Sequence, residues 1–253
     1  MKKSKQQWHI GCSGFSYKEW KDVFYPPKLA QNKWFNYYTD FFDTIELNVT
    51  FYRFPQLTTL QGWYDKSPDH FLFSLKVPRL ITHYKQLKET EDLLTDFYTT
   101  CKTGLRDKLG PILFQFSPRF HFTPDNLEKV IQSMDLSFTN VVEFRHKSWW
   151  CKEVYTQLKK HRIIFCGISY PGLPEDVIVT APILYYRFHG VPKLYYSSYG
   201  AASLEKIANA ILQQHGLKNI FCFFNNTATP GAIENAQWLQ QYISAHFKSQ
   251  PMV

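Results

Sequence analysis

The sequence predicts a single (β/α)8 barrel of the TIM-barrel class, and three observations support this. The chain has 253 residues, close to the length of a full α/β barrel, and 44% of them are hydrophobic. Short apolar runs suited to buried strands alternate with segments of helical character. There are eight such runs, the barrel number, and no low-complexity linker divides them. We therefore expect one domain over residues 1–253.

The predicted strands are short, apolar and separated by turn or helix signals. In chain order they are His9–Cys12, Thr44–Asn48, Phe71–Lys76, Ile112–Phe116, Val141–Arg145, Ile163–Ile168, Ile183–His189 and Ile220–Asn225. A helix is predicted after Thr123, with Pro124 in its first turn, and Ser203–His215 and Gly231–His246 are also amphipathic. Between Ser169 and Pro182 the prolines predict a loop or a degraded helix after the sixth strand.

Composition narrows the class of protein. The first seven residues are basic and polar, but no apolar signal-peptide stretch follows them, and no apolar run approaches the roughly 18 residues of a membrane span. We therefore expect a cytoplasmic protein without a membrane partner. The five cysteines are odd in number and form no CxxC pair, which argues against a disulfide framework and a zinc knuckle.

The net charge is basic. A formal charge of +8 is compatible with anionic ligands or nucleic acid, but much of it comes from scattered lysines and from the tail residues Lys2, Lys3 and Lys5. Nucleic-acid binding is therefore only weakly supported by charge.

Polar residues recur at every second position near the carboxyl ends of the predicted strands. Side chains alternate faces along a strand, so Thr44, Glu46 and Asn48 share one face. The other positions of this kind are Ser74, Lys76, Gln115, Glu143, Arg145, Arg187, His189 and Asn225. In a barrel such side chains project into the mouth, where barrel enzymes do their chemistry. We therefore expect one polar, charged pocket.

Several of these strands lie within longer motifs. The motifs are Ile10–Tyr17 with Trp20, Phe24–Pro26, Ile45–Asn48 with Phe51 and Tyr52, Phe73–Pro78, Val142–His146 with Ser148 and Trp149, Tyr186–Gly190, and Phe224–Asn226. In this order they resemble the YecE-like family over nearly the whole chain. The resemblance implies a TIM-barrel fold, and it implies no reaction because that family is a domain of unknown function.

Two positions depart from the pattern that the resemblance implies. The family usually has an acidic residue after the paired asparagines, where this chain has Thr227, and an Asp after the sixth strand, where it has Ser169 and Tyr170. Both changes remove carboxylates from the expected mouth. If those groups act in relatives, this chain is altered or inactive.

The charged residues permit more than one chemistry. Glu46 and Glu143 suit general acid and base roles, including glycoside hydrolysis, or they hold an arginine or lysine in place. Lys76, Arg145 and Arg187 favour an anionic ligand, such as a phosphate or carboxylate. His189 and His146 add groups that titrate near neutrality.

Cofactors are not identified by the sequence. Glu46, Glu143, His146 and His189 are an alternative metal site, but nearby cations oppose it and no HExxH motif occurs, so we expect no metal. No GxGxxG motif or phosphate loop predicts a dinucleotide, and no Ser-His-Asp or Cys-His arrangement is apparent. Loop aromatics, Tyr17, Trp149 and Tyr199 among them, can stack on a sugar or base or simply pack in the loops.

Three functions remain open. The leading one is an enzyme, a hydrolase or a lyase, that uses acid–base chemistry on a small polar, anionic substrate. Its predicted catalytic residues are Glu46, Glu143 and His189. Its predicted substrate-binding residues are Tyr17, Asn48, Lys76, Gln115, Arg145, His146, Trp149, Arg187, Tyr199, Asn225 and Asn226. The alternatives are a nucleic-acid-binding or processing protein and a non-catalytic metabolite-binding protein. Substrate and oligomeric state are not determined by the sequence.

Overall fold

Parallel strands and helices alternate along the computed structural model, which describes residues 6–248. The strands of this part are β1 (Gln7–Cys12), β2 (Thr44–Leu47), β3 (Leu72–Lys76), β4 (Leu109–Gln115), β5 (Asn140–Glu143), β6 (Ile164–Phe165), β7 (Gly167–Ser169), β8 (Ile183–Phe188) and β9 (Asn219–Phe224). The α-helices are α1 (Trp34–Thr39), α2 (Val49–Tyr52), α3 (Leu57–Lys66), α4 (Glu91–Leu105), α5 (Pro124–Gln132), α6 (Lys152–Lys160), α7 (Ala201–Leu212) and α8 (Gly231–Lys248). The basic tail residues Lys2, Lys3 and Lys5 lie outside the described residues.

The strands form two parallel sheets. One has the order β1-β9-β8-β7 and the other the order β2-β3-β4-β5-β6. No closed eight-stranded barrel forms in the described part of the chain, so the prediction of a single (β/α)8 barrel, which the family resemblance also implied, is wrong. The α/β class, with parallel strands joined through helices, is what the structure retains.

Pairing is interrupted at two places. The predicted sixth strand is divided at Cys166: Ile164 and Phe165 pair with β5, whereas Gly167 begins the pairing with β8. Between β1 and β2 the pairing is reduced to one bridge, Ser13 with Glu46. Closure depends on register and strand tilt, and neither quantity is encoded in the alternation of polar and apolar residues from which the strands were predicted.

The helix start predicted at Thr123 is present. Oγ1 of Thr123 accepts a hydrogen bond from the backbone N–H of Asn126 at 3.1 Å, and Pro124 occupies the first turn of α5, where its missing N–H costs nothing. Residues 170–182 form turns and bends without a helix. The chain therefore passes from the carboxyl end of β7 to the amino end of β8 through a loop without a helix, and Thr180 in this loop donates to the Ile163 carbonyl and accepts from the Phe165 N–H.

The apolar residues form two clusters. The larger one includes the outer strand faces and the buried sides of the helices. The smaller one contains inner-face residues from both sheets: Leu113, Val141, Ile164, Cys166, Ile168, Tyr185, Phe221 and Phe223. Val141 lies two residues before Glu143 on β5, and Tyr185 lies two residues before Arg187 on β8, so each pair shares one face of its strand. The charged residues therefore follow directly after this inner cluster, at the carboxyl ends of the same strands.

Candidate functional site

Arg187, on β8, joins the two sheets through a pair of carboxylates. Its Nη2 donates to Oε1 of Glu46 and its Nη1 donates to Oε2 of Glu143, both at 2.6 Å. All three side chains are fully buried. Two short charge-assisted contacts to one guanidinium are the arrangement that makes buried charge tolerable, and they fix Arg187 firmly.

Glu143 is held by a second guanidinium as well. Nε of Arg145 donates to Oε1 of Glu143, so the carboxylate lies between Arg145 and Arg187. Burial alone raises the pKa of this carboxyl, but the two guanidiniums outweigh burial and hold the pKa well below its usual range. Glu143 is therefore ionised at neutral pH and acts as an ion-pair partner.

His189 completes this side of the cluster. Nη2 of Arg145 lies 3.1 Å from Nε2 of His189, and the Asn225 side-chain amide lies 3.0 Å from Nδ1. Burial, followed by the nearby Arg145 and Arg187, lowers the pKa of His189 well below 6.5, so the ring is neutral. Both ring nitrogens are occupied, and the residue has no exposed surface.

Glu46 has three donors. Oγ of Ser13 and the hydroxyl of Tyr185 each donate to it at 2.6 Å, in addition to Arg187. The Tyr185 hydroxyl also lies 2.7 Å from Oγ of Ser74. Like Glu143, Glu46 has hydrogen bonds to both of its carboxylate oxygens. This arrangement favours the second role considered for the two glutamates, in which they hold an arginine in place, over acid–base catalysis.

Lys76, at the end of β3, is bound differently. Its Nζ lies 3.8 Å from the centroid of the Phe51 ring and makes no hydrogen bond within residues 6–248. Burial, and then the charge of Arg187, lower its pKa to about 7. Lys76 therefore titrates near neutral pH, unlike an ordinary lysine.

Exposure separates a floor from a rim. Glu46, Glu143, Arg187 and His189 have no exposed surface. Five other buried polar residues each keep 7–9% of their surface exposed: Lys76, Gln115, Arg145, Asn225 and Thr227. The fully buried ion pairs form the floor of the site, and the residues that remain slightly exposed outline a narrow opening above it.

Arg145 has a free donor at this opening. Its Nε and Nη2 are used by Glu143 and His189, and its guanidinium lies 4.1 Å from the centroid of the Tyr170 ring. Nη1 makes no hydrogen bond within the described residues. The plane of the guanidinium is therefore fixed on three sides, while one N–H group remains available to a ligand.

The remaining polar candidates lie around the cluster. Nε2 of Gln115 donates to the Phe116 carbonyl at 2.6 Å. Tyr17 donates to the Ser13 carbonyl at 2.5 Å, and burial raises the pKa of Tyr17 to about 12. Tyr199 donates to Oγ of Ser169 at 2.9 Å. These contacts hold the loops that surround the opening.

Two asparagines carry unpaired oxygens. Within the described chain, Oδ1 of Asn48 and Oδ1 of Asn226 are buried without a hydrogen-bond partner. A buried carbonyl oxygen without a donor is costly, so both atoms are candidates for contact with water or a ligand.

Two predicted residues are bound elsewhere. Trp149 is fully buried, stacks on Phe144 with centroids 3.8 Å apart, and donates to the Phe120 carbonyl at 2.7 Å. His146 stacks on His121 at 3.9 Å and contacts Ser148 at 2.8 Å. None of these contacts reaches the charged cluster, so a substrate-binding role for Trp149 and His146 stays a prediction.

Sequence analysis did not identify His83. It lies in a π-helical turn, Leu80–Tyr84, packs edge-on against Phe51, and its Nε2 lies 3.4 Å from Nε2 of Gln115. Burial, then the charge of Lys76, lower the pKa of His83 to about 4. His83 is not in a predicted strand, so the alternation of side chains that identified the other residues does not apply to it. In the structure, its π-helical turn is the signal, because such turns are frequent at functional positions.

Tyr185 and Ser13 were also missed as members of the site. Tyr185 has the parity of Arg187 but its apolar ring predicts a core residue, and Ser13 follows the predicted first strand. Both are hydrogen-bonded to Glu46.

Ser169, at the end of β7, contacts a carboxylate from the loop that follows it. Oγ of Ser169 donates to Oε1 of Glu175 at 2.6 Å, so the loop returns a carboxylate to this point. No group of three or more histidine, cysteine, aspartate or glutamate side chains within residues 6–248 has a metal-binding arrangement. In the same part of the chain, no helix has the length and apolar character needed to cross a bilayer.

Comparisons with known proteins agree with one another. The model of a family described as "Protein of unknown function DUF72" matches residues 9–252. The UPF0759 protein YunF of Bacillus subtilis is 25% identical over an alignment 276 positions long. The alignment covers 94% of this chain and 95% of that protein. The UPF0759 protein YecE of Escherichia coli K12 is 28% identical over 161 residues, covering 60% of this chain and 54% of that protein.

Solved structures show a similar fold. A DUF72 family protein from Thermotoga maritima is 28% identical and superposes with a TM-score of 0.86, covering 94% of this chain and all of that one. A DUF72 family protein from Enterococcus faecalis has 21% identity and a TM-score of 0.80, covering 95% and 99%, and shows likeness of fold alone. With the family model matching nearly its whole length, the chain belongs to the DUF72 family of YecE-like proteins.

Proposed function

We propose that this protein is an enzyme that binds a small polar, anionic substrate at the carboxyl ends of β3, β4 and β5 and acts on it by acid–base chemistry. One observation carries this proposal. Lys76 and Arg145 keep unused N–H donors at the narrow opening, while every charged atom of Glu46 and Glu143 is already paired below them. Unused cationic donors above neutralised carboxylates favour an anion, such as a carboxylate or phosphate group.

The roles divide between floor and rim. Glu46, Glu143 and Arg187 are positioning residues, because their mutual ion pairs occupy them and none is exposed. Arg145 contributes a fixed N–H for the anionic group, since its plane is held by Glu143 and His189. Lys76 moves protons, because a pKa of about 7 matches the pH at which an acid or base is most useful.

Binding of sulfate tests the anion site. Sulfate carries a constant charge around neutrality, so calorimetric titration at pH 6 should show binding that weakens about tenfold or more in Arg145→Gln. Lys206→Gln is the matched control, because Lys206 is 78% exposed and its nearest carboxylate is 4.0 Å away. Circular dichroism confirms that each variant is folded. Equal affinities in Arg145→Gln and the wild type would contradict the proposed site.

Turnover tests the enzymatic part. Sugar phosphates and 2-oxo acids are incubated with the wild type and with Lys76→Met, and products are followed by NMR. The proposal expects consumption of a compound that also binds competitively with sulfate, and its loss in Lys76→Met. Tight binding without turnover of any such compound would instead identify a metabolite-binding protein.

A second candidate, binding of single-stranded nucleic acid, rests on one exposed feature. The rings of Tyr52 and Tyr84 are 65% and 66% exposed, and the Arg79 guanidinium lies 5.5 and 5.4 Å from their centroids. Such aromatic and cationic groups stack on unpaired bases. Oligonucleotide binding that falls steeply with salt, and that is weaker in Tyr52→Ser at every salt concentration, would favour this candidate.

A further inference from the structure

We propose that Lys76 is an amine nucleophile that forms a covalent imine with the carbonyl group of an anionic substrate. This inference rests on the proposed function, since it assigns to the same site a substrate class: small aldehydes or ketones that also carry a carboxylate or phosphate. It goes further in that Lys76 becomes a covalent catalytic residue instead of a proton carrier.

The amine of Lys76 is held in a fixed and largely apolar position. The carbonyl oxygen of Lys76 accepts a hydrogen bond from Oγ1 of Thr50 at 2.6 Å, so the backbone at the end of β3 is fixed. The aliphatic stem is buried, the Phe51 ring covers one side of Nζ, and 8% of the residue reaches the opening. Nζ has no hydrogen-bond partner within the described residues. When the amine is neutral, no donor from these residues therefore engages its lone pair.

The charges around Lys76 balance one another. The floor carries two carboxylates and the guanidinium of Arg187, with the second guanidinium of Arg145 beside them. These four charges sum to zero, so the floor and Arg145 together offer no net negative charge to hold an ammonium group. The environment favours the uncharged amine, which is the nucleophilic form, and desolvation in an apolar surrounding activates lysines for imine formation.

Arg145 offers a substrate a second point of attachment. Nη1 of Arg145 is unused, and the guanidinium plane is fixed by Glu143, His189 and Tyr170. An anionic group bound there orients the carbonyl carbon of a short substrate for attack, and its negative charge stabilises the protonated imine that forms. A neutral carbonyl compound lacks this second contact.

The chemistry balances without a cofactor. The nitrogen lone pair attacks the carbonyl carbon, the C–N bond forms, and the carbonyl π pair moves to oxygen. The two protons of the amine pass to that oxygen, which leaves as water, so one amine and one carbonyl give one imine and one water. The imine takes up one proton from solvent, and the protonated imine accepts the electron pair of a neighbouring C–H bond, whose proton passes to water, to give an enamine. Return of a proton to the enamine carbon and addition of water then release the carbonyl product, the solvent proton and the free amine.

Reductive trapping tests the inference. Full-length protein is treated at pH 7 with glyoxylate, which has an aldehyde and a carboxylate, in the presence of sodium cyanoborohydride. Hydride from the reagent converts an imine into a secondary amine, which peptide mass spectrometry locates. An ordinary lysine amine has a pKa near 10.4, so its uncharged fraction at pH 7 is smaller than that of Lys76 by roughly a thousandfold. We expect Lys76 to be labelled at least about 10-fold faster than the exposed Lys206, despite its burial.

Four comparisons make the result specific. Added sulfate should slow labelling of Lys76 but leave Lys206 unchanged, and Arg145→Gln should have the same selective effect. Labelling of Lys76 should level off above about pH 8, whereas labelling of exposed lysines continues to rise. Lys76→Met, which keeps a buried apolar stem against Phe51, should lose the adduct while remaining folded.

The outcomes separate the two proposals. Sulfate binding that depends on Arg145, together with no preferential adduct at Lys76, would overturn the imine and leave the acid–base enzyme standing. Absence of sulfate binding would overturn the anion site itself. A fast adduct at Lys76 that sulfate does not slow would overturn the pairing of the amine with an anion subsite at Arg145.

Discussion

Nη2 of Arg187 lies 2.6 Å from Oε1 of Glu46, and this contact joins a strand of the four-stranded sheet to a strand of the five-stranded one. The opposite side of the guanidinium makes the equivalent contact with Glu143. Within residues 6–248, strand pairing between the sheets is limited to the single bridge of Ser13 with Glu46, so these ion pairs are a principal polar connection between them.

Arg187→Met should therefore destabilise the protein strongly. It leaves two buried carboxylates without their shared partner, and loss of one member of a buried ion pair costs about 3–5 kcal/mol. Urea unfolding followed by circular dichroism measures the loss. Lys206→Met is the control, because its exposed contact with Glu175 is worth less than about 1 kcal/mol. If the two variants lost equal stability, the ion pairs would not connect the sheets as described.

A pair of glycine substitutions tests the close approach of β1 and β2. A Cβ on Gly11 would lie 2.3 Å from the backbone oxygen of Thr44, so Gly11→Ala should cost about 1–3 kcal/mol through overpacking. A Cβ on Gly62, within α3, meets nothing within 4 Å. Gly62→Ala should stabilise by about 0.5–1 kcal/mol, because glycine is a poor helix former. Thermal unfolding distinguishes them, and a neutral Gly11→Ala would contradict the tight approach.

Strand positions and side-chain faces were predictable from the sequence. Glu46, Glu143 and Arg187 were assigned one parity because side chains alternate along a strand, and the structure has them in direct contact. Which atoms pair was not predictable, since strands β2, β5 and β8 are distant in sequence. Their functional roles stay predictions.

Closure of the sheet was not predictable from the same pattern. Residues 163–168 form one apolar run, yet Phe165 and Gly167 pair with different strands. His83 was missed for a related reason: its place depends on a π-helical turn and on packing against Phe51, which no short sequence period encodes. Tertiary packing decides both features.

The stability of the protein should fall as the pH is lowered from 7 to 4. The pKa of His189 is lowered by burial, so below 6.5 the unfolded chain takes up a proton that the folded one does not. The pKa of Glu143 lies well below 4.5, so its stabilising contribution is complete above 4.5 and is lost as pH falls through its folded value. Both effects have the same sign.

His189→Gln isolates the first of these effects. Glutamine keeps hydrogen-bonding capacity and cannot titrate, so the free energy of unfolding should fall less between pH 6.5 and 4.5 than in the wild type. The difference in slope can reach about 1.4 kcal/mol per pH unit for one proton. Denaturant unfolding at several pH values measures it, and parallel curves for the two proteins would show that His189 is protonated in the folded state.

Sulfate affinity should decrease as pH rises above about 7, because the protonated form of Lys76 is the one that attracts an anion. Bound sulfate stabilises the ammonium and raises the pKa of Lys76, so by linkage the affinity falls by up to tenfold for each pH unit above the pKa of the free protein. Calorimetric titration from pH 6 to 9 measures this fall. Lys76→Arg keeps a positive charge over the whole range and should bind sulfate with little pH dependence, whereas Lys76→Met should bind weakly at every pH. A wild-type affinity that stayed constant across this range would place the anion away from Lys76, since no proton would then be exchanged between that amine and solvent on binding.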